Sequence, residues 1–244
     1  MFFIKKLTLI YYIFSFALFL GFVILIVTAY NSISQTTSPS LKENLPTIII
    51  DAGHGGDDGG ATANGIVEKN INLSISKVLS DIFTSNGYNV IMTRTDDKSI
   101  NTDGTTLREK KVSDMKNRLE IYNSDENNIV ISIHQNKFEQ EKYSGTQIFY
   151  STNNENSKLL AESIRNSVVN LLQPENTREC KKATKEIYLL YNAKIPAVIV
   201  ECGFISNYSE AEKLKTESYQ KQLAFSIYLG VLDYINSDTF CWKQ

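Results

Sequence analysis

Two histidines are the first residues in this 244-residue chain whose type and spacing could do chemistry. His54 follows the apolar run TIIIDAG, and His134 ends the run IVISIH. Neutral imidazole is a common zinc ligand, and a catalytic zinc takes three protein ligands and leaves one position for water. A single histidine near a strand is usually structural, but two at equivalent strand ends favour a metal site.

A carboxylate is needed to complete such a ligand set, and Glu68 is the candidate. It begins a helical pattern 14 residues after His54, and the loop between them contains five glycines. A loop of this composition can fold back and bring the start of the helix next to His54. The alternative is that Glu68 only complements the positive end of the helix dipole. Spacing alone rates these two interpretations as equal.

Glu201 lies within the run AVIVEC, which we expect to be buried on both faces. Ionised glutamate is almost never fully buried unless it is paired. This carboxylate therefore belongs either to a site or to a salt bridge. Near a metal ion it could act as a general base towards water.

The glycine-rich stretch DAGHGGDDGG could instead bind phosphate. It fits neither the Walker pattern nor the dinucleotide fingerprint. Its three aspartates would also repel a phosphate group. We therefore favour the metal site over a nucleotide site.

The elements that must position these residues alternate between strands and helices. The predicted strands are Thr47–Asp51, Tyr88–Thr93, Ile129–His134, Gly145–Tyr150, Ile187–Leu190 and Ala197–Cys202. The predicted helices are Glu68–Ser85, Leu107–Asn123, Ser157–Leu172 and Ser218–Asn236. This order predicts a single α/β domain with a central, largely parallel sheet flanked by helices on both faces. Sites in such sheets form at the carboxyl ends of the strands, where both histidines and Glu201 are expected.

The N-terminal block predicts where the domain is located. Residues Leu7 to Ala29 carry no charge and are long enough to span a membrane as a helix, and Lys5 and Lys6 precede them. Positive charge on that side places the N-terminus in the cytoplasm and the rest of the chain outside. A cleaved signal peptide is the alternative, but its apolar core is normally shorter. The predicted organisation is 1–30 cytoplasmic N-terminus and transmembrane anchor, 31–46 linker, 47–236 catalytic domain and 237–244 short tail.

Composition limits the other classes of function. The net charge of −2 provides no basic surface for nucleic acid, so we expect no nucleic-acid partner. The three cysteines, Cys180, Cys202 and Cys241, have neither zinc-knuckle spacing nor the even count of a disulfide scaffold.

Five motifs in order resemble the zinc-dependent amidase 3 family of N-acetylmuramoyl-L-alanine amidases. They are IIIDAGHGGDDGGA, EKNINL, TR with a later KNRLEIYN, SIHQN and PAVIVECGFISN, and they extend over nearly all of the predicted domain. The resemblance implies that His54, Glu68 and His134 bind one zinc ion per chain and that Glu201 is catalytic. It also implies that Asn136, which the family keeps, contacts substrate. Gln135 departs from the small residue that is usual after the second histidine.

Two arginines, Arg94 and Arg118, also fall in family motifs. Arginine at these positions could hold the end of a helix or strand, or it could contact carboxylates of the substrate. We favour the structural role.

The resemblance implies hydrolysis of the amide bond between N-acetylmuramic acid and L-alanine in peptidoglycan. The segment from Asn176 to Phe204 is similar to the sporulation amidases of the family, which act on spore cortex as the first step towards muramic-δ-lactam. That similarity implies an extracytoplasmic, membrane-anchored enzyme in the forespore intermembrane space, with an activator protein as a possible partner. Alternatives are a vegetative autolysin, another zinc hydrolase of the wall, or a membrane-tethered protein that binds peptidoglycan without catalysis.

Overall fold

A computed structural model describes residue 11, residues 14–29 and residues 45–237. The chain divides into two compact units, Met1–Asn44 and Leu45–Gln244. In the first unit, residues 14–29 are helical. Across the described ranges, no helix combines the length and the apolar character needed to cross a membrane. Parts of the predicted anchor (7–10, 12 and 13), most of the predicted linker (31–44) and the predicted tail from 238 onwards lie outside the described residues.

The second unit is built on a six-stranded sheet and a separate two-stranded hairpin. The strands are β1 Thr47–Ala52, β2 Thr62–Ala63, β3 Ile66–Val67, β4 Val90–Met92, β5 Asn128–Asn136, β6 Gln147–Tyr150, β7 Lys181–Lys182 and β8 Ala197–Phe204. The sheet has the order β4-β1-β5-β8-β6-β7, and β2 and β3 form the hairpin. Neighbouring strands of the sheet are parallel throughout, except that β6 runs antiparallel to β8.

Helices cover both faces of this sheet. They are α1 Glu68–Ser85, α2 Leu107–Tyr122, α3 Asn156–Leu171, α4 Tyr188–Asn192, α5 Tyr208–Leu214 and α6 Glu217–Asn236. Successive side chains of a strand point to opposite faces, so Ile48 and Ile50 join the core formed with α1, α3 and α6. Ile49 joins a smaller core with Tyr122 of α2 and Leu190 of α4. The predicted fold class, an α/β domain with a largely parallel sheet covered on both faces, is confirmed.

The predicted strand Ile187–Leu190 is wrong, because this segment forms the short helix α4. A short apolar run does not distinguish a strand from a buried helix. Both edges of β8 are already paired, one with β5 and one with β6. The segment instead lies against the face of the sheet, where Leu190 is fully buried in the smaller core.

Candidate functional site

The backbone at His54 has a left-handed conformation, with φ of 63°. This conformation is unusual for a residue other than glycine, and the surrounding structure must hold it in place. His54 lies two residues beyond the end of β1. The backbone N–H of Gly53 donates to the carbonyl of Ile133 at 3.1 Å, so that the loop continues the β1–β5 pairing as far as the histidine.

Two buried arginines hold this loop through its backbone carbonyls. The Arg94 side chain donates to the carbonyls of Ala52 at 2.9 Å and Gly53 at 3.0 Å. Arg118 donates to the carbonyls of Ala52 at 2.9 Å and His54 at 2.8 Å. The contacts of both side chains agree with the structural role that the sequence favoured for them.

Glu68 is brought to the site by the β2–β3 hairpin, whose two turn residues, Asn64 and Gly65, both have positive φ. This is the turn that an Asn-Gly pair favours. The hairpin returns the chain so that the N–H of Ala61 donates to Glu68 Oε2 at 2.8 Å. The N–H of Glu68 in turn donates to the carbonyl of Ala61 at 2.9 Å. The glycine-rich loop therefore folds back as expected.

The three predicted metal ligands converge. Glu68 Oε1 lies 3.3 Å from His54 Nε2 and 3.0 Å from His134 Nδ1. One possible ligand atom from each residue lies within 4.8 Å of the others. The donor set of two imidazole nitrogens and one carboxylate oxygen suits a zinc ion.

The charges around this cluster favour a cation. Burial, the largest single effect, lowers the pKa of His54, but the carboxylates of Asp58 and Glu68 outweigh it and raise that pKa to about 9. The two histidines hold the pKa of Glu68 well below its usual range, against the opposing effect of burial. Positive charge is therefore stabilised at the point where the three side chains meet.

Glu201 lies beside the cluster because β5 and β8 are neighbours, and His134 is paired in register with Glu201. Its Oε2 atom is buried and has no hydrogen-bond partner within the described part of the chain. Burial, reinforced by the negative charge of Glu68 and opposed by the two histidines, raises the pKa of Glu201 to about 7. A carboxyl group with this pKa can both accept and release a proton near neutral pH.

A cleft of about 230 Å³ opens beside these side chains on the face that carries α2 and α4. His54, His134 and Glu201 line one part of it. Tyr188 and Leu189 of the short helix α4 also line it. The segment that was wrongly predicted as a strand thus helps to shape the cleft.

The other face of the sheet supports Glu68 through Asn72, which is fully buried on α1. The Asn72 amide donates to the carbonyl of Gly53 at 3.1 Å and to Glu68 Oε1 at 3.3 Å. Its oxygen accepts from the side chain of Gln135 at 3.2 Å, and the Gln135 backbone N–H donates to Glu68 Oε1 at 3.1 Å. The Gln135 side chain, which replaces the usual small residue, therefore supplies a partner for the Asn72 amide. It is not among the residues that line the cleft.

Asn136 lies at the end of β5, beyond a register shift between His134 and Asn136. Its carbonyl accepts from the N–H of Ile205 at 2.8 Å. It is not among the residues that line the cleft. Its contact with substrate stays a prediction.

Gly53 is the tightest position of the site, because a Cβ atom there would lie 2.2 Å from His134 Nε2. We expect Gly53→Ala to displace the His134 ring and to weaken zinc binding by about tenfold or more, as loss of orienting contacts does. The measurement is zinc affinity by competition with a chromogenic chelator.

Gly59→Ala is the matched control for this variant. A Cβ atom at Gly59 would meet its nearest neighbour, Val67 Cγ1, at 3.4 Å, which is an ordinary contact. The control should bind zinc like the wild type. Equal zinc affinity of the Gly53 variant would show that the His134 ring is not confined as the distances indicate.

Sequence reasoning missed Asp58 and Asn72, which contact His54 and Glu68, respectively. Asp58 Oδ2 lies 2.9 Å from His54 Nδ1. Asn72 lies one helical turn after Glu68, and residues at this spacing share a helix face. That spacing was a usable signal for Asn72, whereas nothing distinguished Asp58 from the adjacent Asp57.

Comparison with known proteins places this site in a family. The Amidase_3 family, N-acetylmuramoyl-L-alanine amidase, matches residues 48–233. The germination-specific N-acetylmuramoyl-L-alanine amidase of Bacillus subtilis is 36% identical over 223 residues, which cover 88% of this chain and 92% of the relative. The sporulation-specific N-acetylmuramoyl-L-alanine amidase of the same organism is 30% identical over 182 residues, which cover 72% of this chain and 63% of the relative.

Similar solved structures include that of the CwlD amidase from Clostridioides difficile in complex with the GerS lipoprotein. It has a TM-score of 0.75 and 42% sequence identity, and the match covers 79% of this chain and 100% of that chain. The two proteins are therefore similar in sequence as well as in fold.

A mostly parallel α/β sheet with a His–Glu–His cluster, beside a glutamate whose Oε2 atom is buried, defines a hydrolase whose side chains could hold a metal ion. The residues that match the family include all four of these side chains. The chain belongs to the Amidase_3 family of N-acetylmuramoyl-L-alanine amidases and is a peptidoglycan amidase.

Proposed function

We propose that this enzyme uses zinc, held by His54, Glu68 and His134, to hydrolyse the amide bond between N-acetylmuramic acid and L-alanine. The observation that carries the proposal is the convergence of these three side chains next to the unpaired Oε2 atom of Glu201. Zinc with three protein ligands keeps an open position and acts as a Lewis acid towards a carbonyl or a water molecule.

Glu201 moves the proton in this mechanism. Its Oε2 atom takes a proton from the attacking water, and the oxygen of that water forms the new bond to the lactyl carbonyl carbon. Glu201 then passes the proton to the nitrogen of L-alanine as the carbon–nitrogen bond breaks. The Oε2 atom is free for this role, since it has no other hydrogen-bond partner in the described part of the chain.

The cleft beside Glu201 admits the substrate. Phe149, Ile199 and Leu189 give it an apolar part, and Lys111 and Glu186 add charge. We propose that the muramic acid and the first residues of the peptide lie across this cleft. The mixed lining fits a substrate that joins a sugar to a peptide.

The proposed reaction is tested with the purified full-length chain and purified peptidoglycan. Products are analysed by mass spectrometry after treatment with a chelator and after zinc is restored. We expect peptide-free muramic acid and free L-alanine amino termini, with activity lost on chelation and regained with zinc. Loss of acetyl groups, or cleavage within the peptide, would point to another type of wall hydrolase.

We propose spore cortex as the site of action, with removal of the peptide as the first step towards muramic-δ-lactam. Support comes from the relatives named as germination-specific and sporulation-specific amidases. A strain without the gene should form spores whose cortex lacks muramic-δ-lactam. Unchanged lactam would favour a vegetative role.

We also propose that the catalytic domain is extracytoplasmic and that a separate protein activates it. The apolar run from Leu7 to Ala29 after two lysines supports export. The similar CwlD amidase was solved in complex with a lipoprotein, which supports an activator. Purification of the tagged full-length chain from sporulating cells should recover such a partner, and addition of that partner should raise activity.

A further inference from the structure

We infer that Asp58 is a positioning residue that holds the His54 ring with one particular nitrogen towards the metal. The inference rests on the proposed zinc site and deepens it. The two ring nitrogens of His54 face different partners. Nδ1 lies 2.9 Å from Asp58 Oδ2, and Nε2 lies 3.3 Å from Glu68 Oε1.

The different partners of the two ring nitrogens determine which nitrogen carries the proton, that is, the tautomer of the ring. When Nδ1–H donates to a carboxylate, the lone pair of Nε2 is free to bind a metal ion. Carboxylates that accept from a metal-binding histidine in this way fix the orientation of the ring and raise its basicity. In this structure Asp58 is the carboxylate on the Nδ1 side of His54.

His54 needs such a constraint more than His134 does. His134 lies within β5, where neighbouring strands on both sides limit its backbone. His54 lies in a loop with a left-handed backbone, and Gly60, which has no side chain to confine the ring, lies against its Cδ2 atom. A side-chain hydrogen bond from Asp58 supplies the orientation that the loop backbone does not.

Asp58 is itself held from three directions. Its backbone pairs with Gly55 through hydrogen bonds of 2.9 and 3.1 Å. Its Oδ1 accepts from the N–H of Gly60 at 3.3 Å. Lys111 of α2 forms an ion pair with Oδ2 at 3.0 Å. The carboxylate is thus fixed to the same helix whose Arg118 fixes the backbone of His54.

The adjacent Asp57 provides a natural comparison. It lies in the same loop and also forms an ion pair with a lysine of α2, Lys110, at 2.8 Å. Its side chain is 68% exposed and pairs with Lys110. The two aspartates therefore share charge, loop and type of partner, and differ in contact with His54.

The test measures zinc affinity of the full-length chain by competition with a chromogenic chelator. We expect Asp58→Ala to raise the Kd for zinc by about 10–100-fold. Asp58→Asn, which keeps an oxygen able to accept from Nδ1–H, should give a smaller increase. Asp57→Ala should stay within about twofold of the wild type, since its exposed ion pair contributes little.

A spectroscopic readout separates positioning from a general loss of structure. With only two histidines in the sequence, nitrogen-15 labelling of histidine resolves each ring. The zinc-loaded wild type should show a protonated Nδ1 on His54, and Asp58→Ala should lose that hydrogen-bonded signal while His134 is unchanged. If Asp58→Ala does not fold, Asp58→Asn is measured instead: it should keep the hydrogen-bonded Nδ1 signal and bind zinc less tightly than the wild type.

The outcomes distinguish this inference from the proposed function. A wild-type chain that binds no zinc would overturn the zinc site, and the inference with it. A wild-type chain that binds zinc together with Asp58 variants of equal affinity would overturn the inference alone. Equal losses in the Asp57 and Asp58 variants would also overturn it, because they would indicate an effect of loop charge.

Discussion

Glu201→Gln should lower the rate of peptidoglycan hydrolysis by about 10²–10⁴-fold, the range expected for loss of a general acid–base group. Glutamine has nearly the same shape as glutamate, so the cleft keeps its form, but the amide can neither accept nor release the proton. Glu201 is not one of the three converging ligands. Zinc should therefore remain bound at one ion per chain. Product formation by mass spectrometry and zinc content by atomic absorption give the two readouts.

Glu212→Gln is the control for this variant. Glu212 forms an exposed ion pair with Lys215 at 2.6 Å, away from the cleft. Its rate should match the wild type. Loss of zinc together with activity in the Glu201 variant would assign this carboxylate to the metal, and retention of normal activity would remove it from the mechanism.

The edge of the sheet at which both histidines and Glu201 lie could be predicted because it depends on where the parallel strands end. Parallel strands present their carboxyl ends at one edge of the sheet, and hydrophobic runs reveal where each strand ends. In the structure β1, β5 and β8 are consecutive neighbours, so residues far apart in the sequence meet at that edge. Buried strands with long apolar runs are the elements that sequence reasoning locates best.

The position of Glu68 depended on a loop, and there the sequence was ambiguous. The hairpin that folds Glu68 back is signalled by the adjacent residues Asn64 and Gly65, a pair that favours a tight hairpin turn. The helix α5 also carried a signal, since the Asn207 side chain caps it by accepting from the N–H of Glu210. The preferences of residues for turns and helix caps therefore indicate both the hairpin before Glu68 and the start of α5.

Other features could not be obtained from the sequence. Asp57 and Asp58 are identical in type and adjacent, and only the backbone of the loop decides which carboxylate faces His54. The segment Ile187–Leu190 forms a helix whose Leu190 packs into the smaller core with Ile49 and Tyr122, so contacts with distant parts of the chain outweigh its strand-like pattern.

Asp51→Asn should lower the free energy of unfolding by about 1.5–3 kcal/mol, because it removes one of the two carboxylates that pair with the buried Arg118 and leaves only Asp114, at 2.7 Å. Asp51 is fully buried and forms an ion pair with Arg118. Its carboxylate also accepts from Tyr122 at 2.6 Å, Ser132 at 2.6 Å and Thr93 at 2.8 Å. Unfolding in urea, followed by circular dichroism, measures the change.

Asp96→Asn is the control, since its ion pair with Lys98 is exposed and should contribute less than about 1 kcal/mol.

The effect of pH on stability follows from the same carboxylate. Burial alone would raise the pKa of Asp51, but Arg118 and the hydrogen bonds from Ser132 and Tyr122 hold it well below its usual range. A folded-state pKa below the unfolded value of about 3.9 means that the stabilisation is complete above that pH and is lost as the pH falls further. The difference in stability between wild type and Asp51→Asn should therefore be constant from neutral pH down to about pH 5 and should shrink only below about pH 4. A difference that shrinks between pH 7 and 5 would contradict this, and would assign the stabilisation to a group that titrates in that range.

The same variant should also weaken zinc binding, because Arg118 donates to the carbonyl of His54 as well as pairing with Asp51. Such a result would link the stability of the core to the geometry of the site.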